Sequence, residues 1–135
     1  MGSEMCIRDR CGPSTLIPRY AEDLGVKISY SIDEVIEWAD ALNVLRIQRE
    51  RMQGGLLPSI REYRDLFGIT NERMLKHKKE IVVMHPGPIN RGVEIDSSVV
   101  DSDQAIILDQ VLNGVASRMS ILYLLLGEKP TEESN

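Results

Sequence analysis

The apolar run Ile81-Val82-Val83-Met84, broken abruptly by His85-Pro86-Gly87-Pro88, constrains this chain more than any other stretch. The run is short, β-branched and bounded by a breaker, which predicts a buried strand. Two prolines in the next four residues remove two backbone donors and fix φ at both positions. The strand therefore ends in a stiff turn whose carbonyl oxygens have no helix or ladder to join. Open α/β sheets place ligands at the carboxyl ends of their strands, and such carbonyls can accept hydrogen bonds from a ligand's amino group.

The remaining pattern alternates strands and helices. Gly12-Pro13-Ser14-Thr15 reads as a turn and N-cap, predicting a helix to about Leu24 that Gly25 stops. Val26 to Tyr30 alternates as a strand, and Ser31 caps a helix with Asp33 and Glu34 in its first turn. Ala41 to Leu45 is the next strand, ending at Arg46. Gly54-Gly55 is a flexible break. Pro58 to Phe67 is a helix closed by Gly68, and Thr70 or Asn71 caps a short helix ending in the Lys76–Lys79 run. After the loop Ile89 to Asp96, a long helix is expected from about Ser102 to Leu126. Its apolar stripe comprises Leu108, Val111, Leu112, Val115, Met119, Leu122 and Leu126, and Gly114 weakens it by up to ~1 kcal/mol relative to Ala. This order predicts an α/β fold, a Rossmann-like parallel sheet flanked by helices.

The composition excludes several function classes. A chain of 135 residues suffices for one modest domain. A net charge of −5 gives no bulk attraction to nucleic acid or anionic membrane, and 4% aromatic content offers no base-stacking platform. Cys6 and Cys11 are not spaced as zinc ligands, so no metal is expected. The apolar run Met119 to Gly127 is too short to span a bilayer, and the start lacks a signal peptide's apolar core. A cytoplasmic location is the default expectation. Neither a dinucleotide fingerprint nor a P-loop is present.

Arg46 and His85 end two strands. If those strands are parallel neighbours, both residues emerge on one carboxyl edge. Gln48 follows two residues after Arg46, and an Arg with a Gln suits a dicarboxylate: the guanidinium forks onto one carboxylate, and the amide can donate and accept. A solvated ion pair is the plainer reading of Arg46, and a turn histidine bonded to backbone is the plainer reading of His85. Asn90-Arg91-Gly92 is either a turn or a second anion contact. Trp38 and the methionines read as core packing.

Two motifs carry a family resemblance. Leu45-Arg46-Ile47-Gln48-Arg49-Glu50-Arg51 resembles the L-R-x-Q-x-E-R motif of aspartate carbamoyltransferase catalytic chains. Met84 to Ile95 is similar to that family's M-H-P-x-P-x-N-R-G-x-E-I stretch. Gly12 to Pro18 and the helix from Gln104 to Leu126 also match, so the resemblance covers roughly residues 11–127. Ornithine carbamoyltransferases carry a Cys where Pro86 stands and differ around Arg46, which favours aspartate.

The resemblance implies the C-terminal, aspartate-binding half of the aspartate/ornithine carbamoyltransferase fold. It also implies the reaction of L-aspartate with carbamoyl phosphate in pyrimidine biosynthesis. Carried over, Arg46 binds an aspartate carboxylate and Gln48 supports it. The Gly87 and Pro88 carbonyls take the carbamoyl amino group, with His85 and Pro86 supporting the turn. Residues 49–57, with Arg49, Glu50, Arg51, Gly54 and Gly55, form a mobile closing loop. No metal or organic cofactor is implied. A homotrimer and a possible regulatory chain are implied by family. The family's Ser-Thr-Arg-Thr phosphate loop, a lysine from a neighbouring subunit and a second aspartate-binding arginine have no counterpart in these residues. The chain alone is therefore expected to be inactive. Residues 1–10 read as a foreign or disordered leader and 128–135 as a disordered tail. The half-domain's first strand is expected to be lost or replaced by Cys6-Ile7-Arg8. Ile121, Leu124 and Leu125 form a second apolar set on the last helix, predicting an exposed patch. The alternative is a non-catalytic binding or assembly module that retains the fold.

Overall fold

The computed structural model describes residues 9–47, 59–77 and 80–127. Four short strands and five helices alternate within them: β1 (Arg10–Cys11), β2 (Ile28–Ser29), α1 (Ile32–Trp38), β3 (Ala41–Asn43), α2 (Ile60–Phe67), α3 (Asn71–His77), β4 (Val82–Met84), α4 (Ser97–Val100) and α5 (Ile107–Leu126). A 3-10 turn, Glu22–Leu24, precedes β2.

All strand pairing is parallel, as the alternation predicts, but it falls into two separate pairs. β1 pairs with β2, Arg10 opposite Ile28 and Cys11 opposite Ser29. β3 pairs with β4, with Ala41 opposite Val82, Leu42 opposite Val83 and Asn43 opposite Met84. The first strand is thus two residues long and begins at Arg10, inside the segment expected as leader. Cys6-Ile7-Arg8 lies outside the described residues.

The core forms where helix faces meet β3 and β4. Ile32, Val35, Ile36 and Ala39 come from α1 and its end, Leu42 from β3, and Ile81 and Val83 from β4 and its approach. Met74, Ile95, Val99 and Ile107 close the cluster from α3, the loop, α4 and α5. Ile36 and Val83 have no exposed surface. Helix starts follow the sequence closely. The Ser31 hydroxyl accepts the Glu34 N–H at 3.3 Å, Ser59 accepts the Glu62 N–H at 3.0 Å, and Thr70 accepts the Arg73 N–H at 3.3 Å.

Three expectations are corrected. The helix predicted to Leu24 is instead a series of tight turns, Leu16 N–H to Pro13 O and Ala21 N–H to Pro18 O. Pro18 supplies no N–H and biases Ile17 away from the helical region. The long helix starts at Ile107, not near Ser102. Val83 N–H donates to Gln104 O at 2.8 Å and Ile106 N–H donates to Val83 O at 3.0 Å, so residues 104–106 extend along the free edge of β4. Trp38 is not core: it is 36% exposed, with Lys27 Nζ 4.6 Å from its ring centroid. Met119 is likewise exposed, whereas Met74 is buried.

α5 departs furthest from an ordinary surface helix. Ile107 is buried, but Leu108 is 85% exposed, and the apolar stripe beyond it faces solvent as well. The second set, Ile121, Leu124 and Leu125, is exposed as expected. No described helix is long and apolar enough to cross a membrane.

Candidate functional site

The parallel register of β3 and β4 builds one edge. Val44 N–H donates to Met84 O at 2.9 Å, carrying the ladder one step past the strands. His85 follows immediately on one side and Arg46 two residues later on the other. The two strand ends therefore open at the same carboxyl edge. Arg46 is half-buried between exposed Leu45 and buried Ile47.

The turn after β4 is shaped by its own residues. Gly87 has φ +69°, a left-handed conformation, and the Gly87-Pro88 peptide is cis. The Gly87 N–H donates to His85 Nδ1 at 2.9 Å. His85 is wholly buried and holds the turn from beneath. Pro86 and Pro88 are exposed. Among the described residues, no hydrogen bond reaches the carbonyl oxygens of Gly87 or Pro88. The turn thus keeps two carbonyl oxygens without a partner among the described residues, while its one internal N–H is satisfied.

Glu94 was not singled out by sequence reasoning. Its side chain has no exposed surface, and Oε1 lies 3.5 Å from His85 Nε2. The same Oε1 accepts the Asn90 N–H at 2.6 Å. Asn90 then reaches the other strand end. Its Oδ1 accepts from Arg46 Nε at 3.5 Å, and its Nδ2 donates to Ile47 O at 3.2 Å. Arg46 has further partners as well. His85, Glu94, Asn90 and Arg46 are therefore linked in series across the edge. The available signal was one acid between two apolar residues, Val93 and Ile95, a pattern that asks what a buried carboxylate would bond.

Burial holds the His85 imidazole below its usual pKa, against the opposing pull of the Glu94 carboxylate. Arg91, weighed as a second anion contact, instead pairs with Asp101 at 3.0 and 3.1 Å. Asn90-Arg91-Gly92 is a turn, with Gly92 at φ +78° and its N–H bonded to Ile95 O at 2.8 Å. Gln48 and the loop residues Arg49, Glu50, Arg51, Gly54 and Gly55 lie outside the described residues. No cluster of three His, Cys, Asp or Glu among the described residues could hold a metal ion.

The aspartate carbamoyltransferase catalytic subunit of Gemmatimonas aurantiaca is 51% identical over 130 residues, spanning 96% of this chain and 40% of that protein. The same subunit of Christiangramia forsetii is 56% identical over 115 residues, 85% of this chain and 37% of that one. The chain thus spans about 40% of the length of the curated relatives it matches. The aspartate transcarbamoylase of Trypanosoma cruzi, solved with carbamoyl phosphate, matches with a TM-score of 0.68 at 27% identity, over 85% of this chain and 39% of that one. The ornithine carbamoyltransferase of Pyrococcus furiosus shares the fold, with a TM-score of 0.63 at 22% identity over 81% of this chain and 36% of that one. The family described as aspartate/ornithine carbamoyltransferase, Asp/Orn binding domain, matches residues 16–125, and the chain belongs to it.

Proposed function

We propose that this chain supplies the L-aspartate-binding half of an aspartate carbamoyltransferase and is inactive alone. The observation that carries the reading is the parallel β3–β4 register, which opens Arg46 and the His85–Pro88 turn onto one edge. The names of relatives about half identical to this chain support aspartate over ornithine.

In this reading Arg46 grips an aspartate carboxylate by its fork, and Gln48 supports it. The Gly87 and Pro88 carbonyls accept hydrogen bonds from the carbamoyl amino group, fixing the face of its carbonyl carbon. The aspartate nitrogen attacks that carbon, a C–N bond forms, and the C–O bond to phosphate breaks. Phosphate leaves with the electron pair and the nitrogen loses a proton. Alignment and anion stabilisation are the main requirements. His85 and Pro86 keep the turn stiff, and residues 49–57 close over aspartate. The phosphate is held by a second domain, and the working assembly is a cytoplasmic homotrimer to which a regulatory chain can attach.

The test combines this chain with the complementary carbamoyl-phosphate half of the Gemmatimonas aurantiaca subunit and measures carbamoyl-aspartate formation. The chain alone is expected to give none, and the combination to restore turnover. Arg46→Ala in the combination is expected to abolish saturation by aspartate. No restored turnover, or turnover indifferent to Arg46→Ala, would count against the reading.

A further inference from the structure

Asn90 belongs to the turn after β4, yet its side chain is directed at the end of β3. Nδ2 donates to Ile47 O at 3.2 Å and Oδ1 faces Arg46 Nε at 3.5 Å. These two contacts fix which end of the amide is which. Turned over, Nδ2 would meet the guanidinium donor, and Oδ1 would meet a carbonyl.

The Asn90 backbone is itself held. Its N–H donates to Glu94 Oε1 at 2.6 Å, a short charge-assisted bond to a carboxylate with no exposed surface. Buried groups of this kind are costly to leave unmet, so the bond resists rearrangement. Glu94 also faces His85, whose other nitrogen receives the Gly87 N–H. One buried acid thus supports both the carbonyl turn and the residue that touches Arg46.

We propose that Asn90, anchored by Glu94, is a positioning residue for Arg46: it aims the guanidinium across the edge and sets its register against the Gly87-Pro88 carbonyls. The inference rests on the reading of Arg46 as the dicarboxylate ligand.

The test observes the arginine Nε–H signals of the full chain by nitrogen-15 NMR. In the unaltered chain Arg46 Nε is expected to be ordered, in contrast to Arg61, whose side chain is 94% exposed. Asn90→Ala is expected to raise the mobility of Arg46 Nε measurably above that in the unaltered chain, its other partners remaining, while the Gly87 amide keeps its position. Asn90→Asp keeps an acceptor oxygen for Arg46 but sets its second oxygen against Ile47 O, so it is expected to restore order only in part. An Arg46 Nε signal unchanged in Asn90→Ala would overturn the proposal. If Asn90→Ala does not fold, an Arg46 as mobile as Arg61 in the unaltered chain, or one as ordered in Asn90→Asp as in the unaltered chain, overturns it, and an Arg46 ordered in the unaltered chain and loosened in Asn90→Asp upholds it. Succinate, a dicarboxylate without an amine, separates the two readings. It is expected to shift Arg46 Nε, with Asn90→Ala weakening the midpoint roughly tenfold. If succinate leaves Arg46 unmoved in the unaltered chain, the dicarboxylate reading fails, and the positioning role is decided by the ligand-free mobilities.

Discussion

His85 and Glu94 face each other with no exposed surface on either side chain, Nε2 to Oε1 at 3.5 Å. Because Nδ1 accepts the Gly87 N–H, the neutral ring carries its proton on Nε2, which lies 3.5 Å from the carboxylate without the alignment of a hydrogen bond. The tautomer is therefore set by the turn, and the turn by the tautomer. An imidazolium could not accept the Gly87 N–H at all.

That linkage makes stability pH-dependent. Burial holds His85 below its ordinary value of 6.5, outweighing the upward pull of Glu94. The unfolded chain then binds this proton more readily than the folded one. The stabilisation is present above pH 6.5 and is lost as pH falls through the folded value. Urea midpoints are expected to fall on acidification below about pH 6.5, and His85→Asn should flatten that slope. Asp33, lowered from 3.8 because its bonds to His77 and Arg73 outweigh burial, acts only in a more acid window. An unchanged slope in His85→Asn would sink the assignment.

Two glycines should behave alike for one reason and a third differently. Gly87 and Gly92 have φ of +69° and +78°, while an added Cβ would meet only Val111 Cγ2 at 3.8 Å for Gly87 and nothing within 4 Å for Gly92. Alanine at either position meets backbone strain alone, about 1–2 kcal/mol. At Gly68 a Cβ would lie 2.6 Å from Arg64 O and 3.1 Å from Val93 O, so a clash adds to nothing conformational. Equilibrium unfolding of the three alanine variants decides it. A Gly68→Ala chain as stable as the unaltered one would refute the packing argument.

Arg73 ties three helices together. Its guanidinium donates to Gly68 O at 2.7 Å, Asp65 O at 2.6 Å and Asp33 Oδ2 at 3.3 Å, capping the end of α2 from α3 and holding α1. The capped carbonyls belong to the group a helix end leaves unpaired. Arg73→Ala is expected to cost about 2–3 kcal/mol. Arg73→Lys should recover less than half of this, because an ammonium cannot reproduce the fork. Thermal denaturation measures both, and a lysine variant equal to the unaltered chain would contradict the role of the fork.

Much of this was legible in the sequence where local chemistry and tertiary context agree. Ser31 with Glu34 announces helix α1, Pro58 and Gly68 bracket α2, and the breaker after Met84 announces the end of β4. The parallel placement of Arg46 and His85 followed from strand–helix alternation. Legibility failed where long-range pairing overrode local preference. Residues 104–106 have no strand pattern, but the free edge of β4 draws them into extended pairing. The role of Glu94 was hidden for a similar reason: burial of an acid depends on partners far along the chain, His85 and Asn90, and no local period reports it. Asn90 appeared as a turn residue, which it is, while its reach to Arg46 spans 44 positions in sequence.

α5 carries the most exposed apolar surface in the described structure, and association should follow from it. Its 20 residues include only Asp109 and Arg118 as charged side chains. Leu122 is 56% exposed and Leu125 75%, continuous with other exposed apolar residues along the last two turns. A helical stretch apolar on all sides, as residues 121–126 are, is normally buried, and an exposed patch of this kind marks a contact surface. Sedimentation is therefore expected to show concentration-dependent association of the chain. The pair Leu122→Lys and Leu125→Lys should return it to a monomer, with the charges placed where a helix C-terminus favours cations. Because neither leucine is buried, unfolding free energy should stay within about 0.5 kcal/mol of the unaltered chain. Association that survives both substitutions would place the contact elsewhere, whereas lost stability with unchanged association would mean that α5 packs on its own domain.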